Sequence, residues 1–333
     1  MILAGDIGGT KTELALFSSE SGPRHPIKEA RFPSEDYDSL EVIVQEFLSQ
    51  IDENVTHASF GVAGPVVGGR AELTNLPWQM EEQHLAHELS LESVRLLNDL
   101  VSTANAVPVL APEDLFTLRD GQARDGGTIA VIAPGTGLGE GFLTWDGSTY
   151  RPYPSEGGHA SFSPTSDTEI EMLRFLQQRF RHVSWERICS GVGLPNIYSF
   201  FKETGRAEEP AWLAEKLASA DDITPIVVNS ALVENDPPDI CVKTLEMFIA
   251  TLGAEAGNLA LKLLATGGVY LGGGIPPRIL SKLQGDLFVN SFLNKGRLGA
   301  ELKEIPIYVI LNPKAALIGA ARHGLDQAAQ ASM

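Results

Sequence analysis

Three glycine-rich turns are the residues of this sequence with the clearest chemical potential. Each follows a short apolar run that is typical of a buried strand. Glycine lets backbone N–H groups approach phosphate oxygens, because a Cβ would collide with the ligand or forbid the required φ. Threonine hydroxyls add donors, and Asp6 could hold a magnesium ion through water. The turns predict a nucleotide site made of Asp6, Gly8, Gly9, Thr10, Lys11, Thr12, Gly135, Thr136, Gly137, Gly272, Gly273 and Gly274.

The residues that follow the first two turns exclude the common phosphate motifs. Residues 13–17 and 141–145 have the pattern of strands, so both turns are predicted to join the strands of β-hairpins. A P-loop needs glycine before its lysine and a helix after it, whereas Thr10 precedes Lys11 and a strand follows. The dinucleotide fingerprint fails because Glu140 occupies its third glycine position. With both motifs excluded, the remaining interpretation is that these hairpin turns bind phosphate. Any one of the turns alone could still be an ordinary tight turn.

Asn98 and Asp99 are candidates for the reacting group. They follow an apolar strand over residues 94–97, and open α/β sheets place ligand groups at the carboxyl ends of strands. Asp99 could act as a general base that takes a proton from a substrate hydroxyl while that oxygen attacks a γ-phosphate. The alternative is that Asn98 or Asp99 merely caps the helix predicted after it.

Glu156 and His159 flank two glycines, so both side chains can converge on one small polyhydroxyl ligand. Sugars are bound by such planar donors and acceptors, because an unpaired buried polar group costs about 1–3 kcal/mol. Two simpler interpretations stay open: His159 is a buried histidine bonded to backbone, and Glu156 lies in a solvated loop. Glu186 would by default be an exposed helix residue.

Composition indicates a cytoplasmic enzyme. With 333 residues, 43% of them hydrophobic, the chain can bury the cores of two domains. The net charge of −18 argues against a nucleic-acid partner. Cys189 and Cys241 form neither a disulfide framework nor a zinc motif, which indicates a reducing compartment. We expect no membrane partner, because no apolar run is long enough for a signal peptide or a bilayer span.

Several chain segments predict two domains. Residues 107–112 form a proline-containing linker, and residues 304–310 a strand. A helix should follow, with Asn312 as its cap and Pro313 at its first position. We predict a small α/β domain of residues 1–110 plus 302–333 and a large α/β domain of residues 111–301. The likeness of the first two hairpins indicates a duplicated core.

Six motifs occur in the order seen in bacterial glucokinases, which the chain resembles nearly end to end. They are Asp6-Ile7-Gly8-Gly9-Thr10-Lys11-Thr12, Leu97-Asn98-Asp99-Leu100, Gly135-Thr136-Gly137-Leu138-Gly139, Glu156-Gly157-Gly158-His159, Ser190-Gly191-Val192-Gly193-Leu194 and Tyr270-Leu271-Gly272-Gly273-Gly274-Ile275. The resemblance implies an α/β, two-domain actin-like ATPase (ribonuclease H-like) fold with a central cleft.

The same resemblance implies an activity and residue roles. The activity is ATP-dependent phosphorylation of glucose at its 6-hydroxyl with Mg²⁺, by a cytoplasmic homodimer. Asp99 then becomes the catalytic base, and the ligands of the sugar hydroxyls become Asn98, Glu156, His159 and Glu186. The turns at Gly8 and Gly135 face the phosphates, and the turn at Gly272 lies beside the adenosine.

Other readings use the same residues. A kinase for mannose, fructose or an N-acetylhexosamine would need the same machinery, and a non-catalytic sugar sensor or an actin-like filament protein belongs to another functional class. Glu140, directly after the second turn, is expected to add negative charge near the nucleotide. The zinc-binding cysteine cluster of the related repressor and sugar-kinase family is absent, so no structural metal is expected.

Overall fold

The chain forms two compact units in a computed structural model that describes residues 1–73 and 76–331. The first unit comprises Met1–Leu115, Leu143–Pro154 and Asn312–Met333, and the second comprises Phe116–Phe142 and Ser155–Leu311. The predicted domain boundaries, after residues 110 and 301, stay a prediction. The chain passes from one unit to the other after Leu115 and Leu311 instead. The first unit also includes the tip of a hairpin, Leu143–Pro154, which the prediction assigns to the large domain.

The described residues contain 14 strands. They are β1 Ile2–Ile7, β2 Lys11–Phe17, β3 Lys28–Pro33, β4 His57–Val62, β5 Val66–Val67, β6 Arg70–Glu72, β7 Gln79–Glu81, β8 Ser93–Asn98, β9 Leu115–Arg119, β10 Ile129–Pro134, β11 Leu138–Trp145, β12 Tyr150–Ser155, β13 Gly268–Leu271 and β14 Ile307–Ile310.

Twelve α-helices lie within the same described ranges. They are α1 Leu40–Leu48, α2 Glu82–Glu88, α3 Asp99–Ala106, α4 Asp167–Gln177, α5 Leu194–Glu203, α6 Ala211–Ala218, α7 Thr224–Ala231, α8 Asp239–Leu263, α9 Leu280–Leu283, α10 Asp286–Leu293, α11 Gly299–Leu302 and α12 Ala315–Ala331.

The sheet of the first unit has the order β3-β2-β1-β4-β8. β1, β2 and β3 are antiparallel neighbours, whereas β4 and β8 run parallel to β1. Successive side chains of β1 point to opposite faces, so Ile2 packs with residues of α12 while Leu3 packs with residues of α1. Both faces of β1 are therefore covered, which explains why residues 2–5 are apolar without alternation. β5, β6 and β7 form a separate small sheet.

The sheet of the second unit repeats this arrangement. Its order is β12-β11-β10-β13-β14-β9, with β10, β13 and β14 parallel. The first five strands thus have the same sequence-to-space order as the five strands of the first unit, and β10 and β11 again form a hairpin across a glycine turn. The repeated order agrees with the predicted duplicated core. One large core surrounds the sheet and α8, and it includes both cysteines, which are free and buried.

Two predicted boundaries near the end of the chain are wrong by two or three residues. β14 begins at Ile307 rather than residue 304, because Pro306 has no N–H for a strand ladder. The last helix begins at Ala315, since the Oδ1 atom of Asn312 accepts the N–H of Lys314 at 2.9 Å and forms a separate turn first. No helix among residues 1–73 and 76–331 has the length and apolar composition needed to cross a membrane.

Candidate functional site

The first glycine turn is a closed hairpin end held by a buried serine. The N–H of Gly8 donates to the carbonyl of Lys11 at 2.9 Å, and the Ser34 hydroxyl donates to the carbonyl of Gly8 at 2.7 Å. The Thr12 hydroxyl is fully buried and lies 2.9 Å from that of Ser34. Its hydrogen bond is therefore internal, and the predicted contact of this hydroxyl with phosphate has no geometric support. No pattern near the first turn indicated the role of Ser34, which lies 22 residues from Thr12.

Asp6 and Asp99 lie near the same edge of the first unit's sheet. Strand register pairs Ile7 with Val62 and Val62 with Asn98, so β1, β4 and β8 end together. Neighbouring strands are about 4.8 Å apart, which places the ends of β1 and β8 roughly 10 Å apart. The sheet therefore brings the predicted metal carboxylate and the predicted base to one edge.

The electrostatics of Asp6 suit a hard cation. Burial raises the pKa of its carboxyl to about 6; the positive charge of Lys11 opposes this, while Glu13 and Asp99 add to it. The nearby carboxylates of Glu13 and Asp99 are negative charges that a bound cation would offset. Within the described ranges, no group of three or more His, Cys, Asp or Glu side chains could hold a metal. This donor set fits Mg²⁺, which is commonly bound through one or two carboxylates, water and substrate phosphates.

Asn98 is the N-cap of α3, as the simpler interpretation proposed. Its Oδ1 accepts the N–H groups of Leu100 and Val101 at 3.0 and 3.4 Å, and its Nδ2 donates to the carbonyl of Gly64 at 3.0 Å. Both ends of the amide are thus engaged inside the first unit. Such a cap fixes the first turn of the helix and hence the direction of the next side chain.

Asp99, the first residue of α3, is exposed to solvent. Its Oδ1 accepts the N–H of Leu100 at 2.8 Å. Although solvent reaches the side chain, the surrounding protein removes part of the water around the carboxyl. This desolvation raises its pKa above the ordinary aspartate value, and the bonds from Leu100 and Asn98 partly offset the rise. An accessible carboxylate of increased basicity is what proton abstraction from a hydroxyl requires.

In the second unit, His159 stands between two carboxylates. Its Nε2 lies 3.9 Å from Oε2 of Glu156, and its Nδ1 lies 3.9 Å from Oε1 of Glu186. The side chain of His159 is 63% exposed, so the interpretation as a buried histidine is wrong, whereas Glu156 is 81% exposed and lies in a solvated loop as its alternative stated. The three side chains present acceptors and a ring donor to the same volume.

Glu186 is held by the second glycine hairpin. Its Oε2 accepts the N–H of Leu138 at 3.0 Å, and its own N–H donates to the carbonyl of Gly158 at 2.9 Å. It lies in a turn and its side chain is 23% exposed, so the default expectation of an exposed helix residue is wrong. The N–H of Gly191 donates to the carbonyl of Gly135 at 2.7 Å. The hairpin, residues 156–159 and Glu186 therefore form one hydrogen-bonded structure.

The third glycine turn, at the end of β13, is fixed to β10. The N–H of Gly272 donates to the carbonyl of Ile132 at 2.9 Å. Gly273 has a φ of +78°, and a Cβ there would lie 2.5 Å from the carbonyl oxygen of Pro134, so no other residue fits. The remaining glycines of the predicted nucleotide site do not have positive φ, which corrects that part of the expectation. Gly135 and Gly274 instead have no atom within 4 Å of a Cβ position, and this open space would admit a ligand.

Glu140 does not place negative charge beside a nucleotide, as the sequence suggested. It is 1% exposed, and burial together with the nearby Glu255 carboxylate raises its pKa to about 8. Its side chain on β11 points into the interior, away from solvent, where burial favours the neutral carboxyl.

A cleft of about 520 Å³ lies elsewhere in the first unit. Leu97, Val101 and residues of α12 line it, but Asn98 and Asp99 do not. It is therefore separate from the predicted reacting group.

The family model and the similar protein sequences agree on one family. A family model described as Glucokinase matches residues 3–327. A glucokinase of Trichormus variabilis is 41% identical over 335 residues, which cover 96% of this chain and 98% of that protein.

Solved structures confirm the α/β fold of the actin-like ATPase class. The crystal structure of a glucokinase from an Antarctic psychrotroph is 31% identical, with a TM-score of 0.81 and 98% coverage of both chains. A ROK-family glucokinase from Streptomyces griseus, solved with glucose and AMPPNP, shares the fold at 20% identity, with a TM-score of 0.60 and coverage of 98% and 99%.

Proposed function

The chain belongs to the glucokinase family, and on that premise we propose that it transfers the γ-phosphoryl group of ATP to the 6-hydroxyl of glucose. The observation that carries this proposal is the group of Glu156, His159 and Glu186. Its carboxylates each lie 3.9 Å from the His159 ring, and Glu186 is hydrogen-bonded to the glycine hairpin at Gly135 within one unit. A hydroxyl-binding group and a phosphate-binding hairpin that share one rigid support suit phosphoryl transfer to a sugar.

In this proposal Asp99 is the general base. Its carboxylate takes the proton of the 6-hydroxyl as that oxygen bonds to the γ-phosphorus, and ADP leaves on the opposite side of the phosphorus. The N-cap bonds of Asn98 hold the start of α3 and with it Asp99. The amide of Asn98 is engaged in these bonds, so a contact between it and a sugar hydroxyl would have to share a hydrogen bond.

Charge on the transferred group is balanced by backbone and cation. The N–H groups of the turns at Gly8 and Gly135, with the exposed hydroxyls of Thr10 and Thr136, donate to phosphate oxygens. Lys11 adds a positive charge at the first glycine turn, although its ammonium is paired with Glu13 at 2.9 Å. Asp6 would hold Mg²⁺ through water, and the ion would neutralise negative charge on the phosphates. The turn at Gly272 receives the adenosine.

Sugar recognition rests on pairing each hydroxyl with a polar group. Glu156 and Glu186 accept hydrogen bonds from hydroxyls, and the ring of His159 between them donates one. A site that hydrogen-bonds a hydroxyl rejects an analogue without that hydroxyl by up to about 10⁴–10⁵-fold. Discrimination among hexoses therefore depends on this group.

The experiment is a panel of sugars. Purified protein is given ATP and Mg²⁺ with glucose, mannose, fructose or N-acetylglucosamine, and kcat/KM is measured for each. We expect glucose to give the highest value. A higher value for another hexose would replace glucose as the substrate, and sugar binding without ADP production for every sugar would favour the sensor.

Three further attributes are part of the proposal. We place the enzyme in the cytoplasm, because the chain has only two cysteines and both are buried and unpaired. We assign its product to glycolysis, as glucose 6-phosphate. We also propose a homodimer, with no nucleic-acid or membrane partner, on the basis of the family resemblance and the net charge of −18.

A further inference from the structure

Glu140 is a buried acid that the proposed reaction does not use. It lies on β11, two residues after Leu138, whose N–H binds Glu186. Its side chain packs against the backbone of Gly157, since a Cβ on Gly157 would overlap Oε2 of Glu140 and lie 2.9 Å from its Cδ. Gly157 directly follows Glu156 and begins the short turn that ends at His159. The acid therefore fills the space behind the loop assigned to the sugar.

The environment of Glu140 lacks a donor for an ionised carboxylate. With both carboxyls charged, neither oxygen of Glu140 has a hydrogen-bond partner among the described residues. Glu255 on α8 is within hydrogen-bonding reach, and it already accepts from Asn258 at 2.8 Å and from Lys262 at 3.3 Å. A proton on Glu140 supplies the missing donor, toward Glu255. An ionised Glu140 would instead place two carboxylates together in a dry interior.

The charged and titratable groups around this pair are few. Lys262 and Glu255 act on Glu140 from α8, and Lys295 acts on Glu255. The Cys189 thiol lies nearby but is kept neutral by burial, and Glu169 on α4 acts on Cys189 and Lys295. Lys262 lowers the pKa of Glu140 but offsets the effects of burial and Glu255 only partly, and the result is a pKa of about 8.

We propose that Glu140, in its protonated form, is a positioning residue for the sugar-binding loop: its neutral carboxyl, bonded to Glu255, supports Gly157 and thereby sets the places of Glu156 and His159. This inference rests on the proposed function for its readout in catalysis. The contact between Glu140 and Gly157 itself does not depend on that function.

The first test is a double-mutant cycle. Gly157→Ala in the otherwise unchanged chain drives a methyl group into the Glu140 carboxyl, and we expect the KM for glucose to rise about tenfold or more while kcat changes less. In a Glu140→Ala background the methyl group enters the vacated space, since the next atom, Oγ of Ser155, is 3.1 Å away. In that background Gly157→Ala should raise the KM for glucose less than about threefold. The effects of the two substitutions are then coupled, as expected for residues in contact.

The control is Gly285→Ala, at the start of α10, where a Cβ would meet only the carbonyl of Lys282 at 3.3 Å. Its effect should be the same in both backgrounds. If Gly157→Ala raises the KM for glucose by the same factor with and without the Glu140 side chain, the inference is overturned. If the unchanged chain does not phosphorylate glucose, the proposed function fails, and the same cycle measured by thermal unfolding still decides whether the two residues are coupled.

The second test uses Glu140→Gln, which keeps the shape and a donor but cannot ionise. The KM for glucose of the unchanged protein should rise as the pH increases through about 8, and that of Glu140→Gln should stay flat from pH 7 to 9. Glu209→Gln is the matched control, because Glu209 is bonded to Tyr198 and Lys202 instead, and it should keep the rise. A flat profile for the unchanged protein, or the same rise in Glu140→Gln, would overturn the protonated role.

Discussion

Asp99 is the residue on which the proposed chemistry depends. It is exposed at the start of α3, its backbone is fixed by the Asn98 cap, and desolvation raises its pKa. Each property has a separate cause. Asp99 is exposed because it follows the end of β8, its backbone is fixed by the amide of Asn98, and its pKa is raised by the protein around it. Together they make this carboxylate accessible, oriented and more basic than an ordinary aspartate.

Asp99→Asn should lower kcat by about 10²–10⁴-fold, because the amide cannot accept the proton of the attacking hydroxyl. The KM for glucose should change far less, since the side chain keeps its shape and the bond from Leu100. Steady-state kinetics on the purified variant measures both. Asp125→Asn, in an exposed turn of the second unit, is the control and should behave as the unchanged protein. An unchanged kcat in Asp99→Asn would show that Asp99 is not the general base.

The pH dependence of kcat/KM should show an acidic limb due to Asp99. The base must be ionised, and its pKa is raised, so activity is present above that pKa and is lost as the pH falls through it. We expect the midpoint of this limb to lie above about 3.9, the ordinary aspartate value. Rates measured from pH 4 to 8, with circular dichroism at each pH to confirm folding, test this. Full activity at the lower end would contradict it.

At the scale of elements, the glycine turns show what local sequence can predict. The hairpins at Gly8 and Gly135 were recognisable because apolar strand patterns flank short glycine turns, a relation confined to neighbouring residues. The surroundings of Thr12, Glu186 and Glu140 could not be predicted, because their partners Ser34, Leu138 and Glu255 lie 22, 48 and 115 residues away in the chain. Contacts at such separation depend on the assembled sheet and leave no local pattern.

The third glycine turn permits a prediction that separates fold from ligand binding. Gly273→Ala should destabilise the protein by about 1–3 kcal/mol, because its φ of +78° and the Pro134 carbonyl exclude a side chain. Gly274→Ala should leave the free energy of unfolding nearly unchanged, since nothing lies within 4 Å. The latter should still raise the KM for ATP if the adenosine lies there. Urea unfolding and ATP kinetics measure the two effects, and equal destabilisation would contradict the geometry.

At the scale of the whole molecule, two units repeat one strand order, with a glycine hairpin at the same place in each. This repetition explains why a single sequence pattern, a buried strand followed by a glycine turn, occurs in both halves. It also explains why the predicted phosphate-binding residues come from two distant segments of the chain.

The proposed homodimer is testable on the intact protein. Light scattering at the concentration used for kinetics should give twice the chain mass of 35.8 kDa. The net charge of −18 opposes close approach of two copies at low ionic strength, so the dimer fraction should increase as salt is added. A mass of one chain at every salt concentration would rule the dimer out.

The central claim, that this chain is a glucose-phosphorylating kinase, is tested most directly by following ADP and glucose 6-phosphate together. The purified protein is incubated with ATP and Mg²⁺, with and without glucose. We predict that both products form only with glucose and in equal amounts. ADP without sugar phosphate, or no turnover with glucose, would contradict the claim.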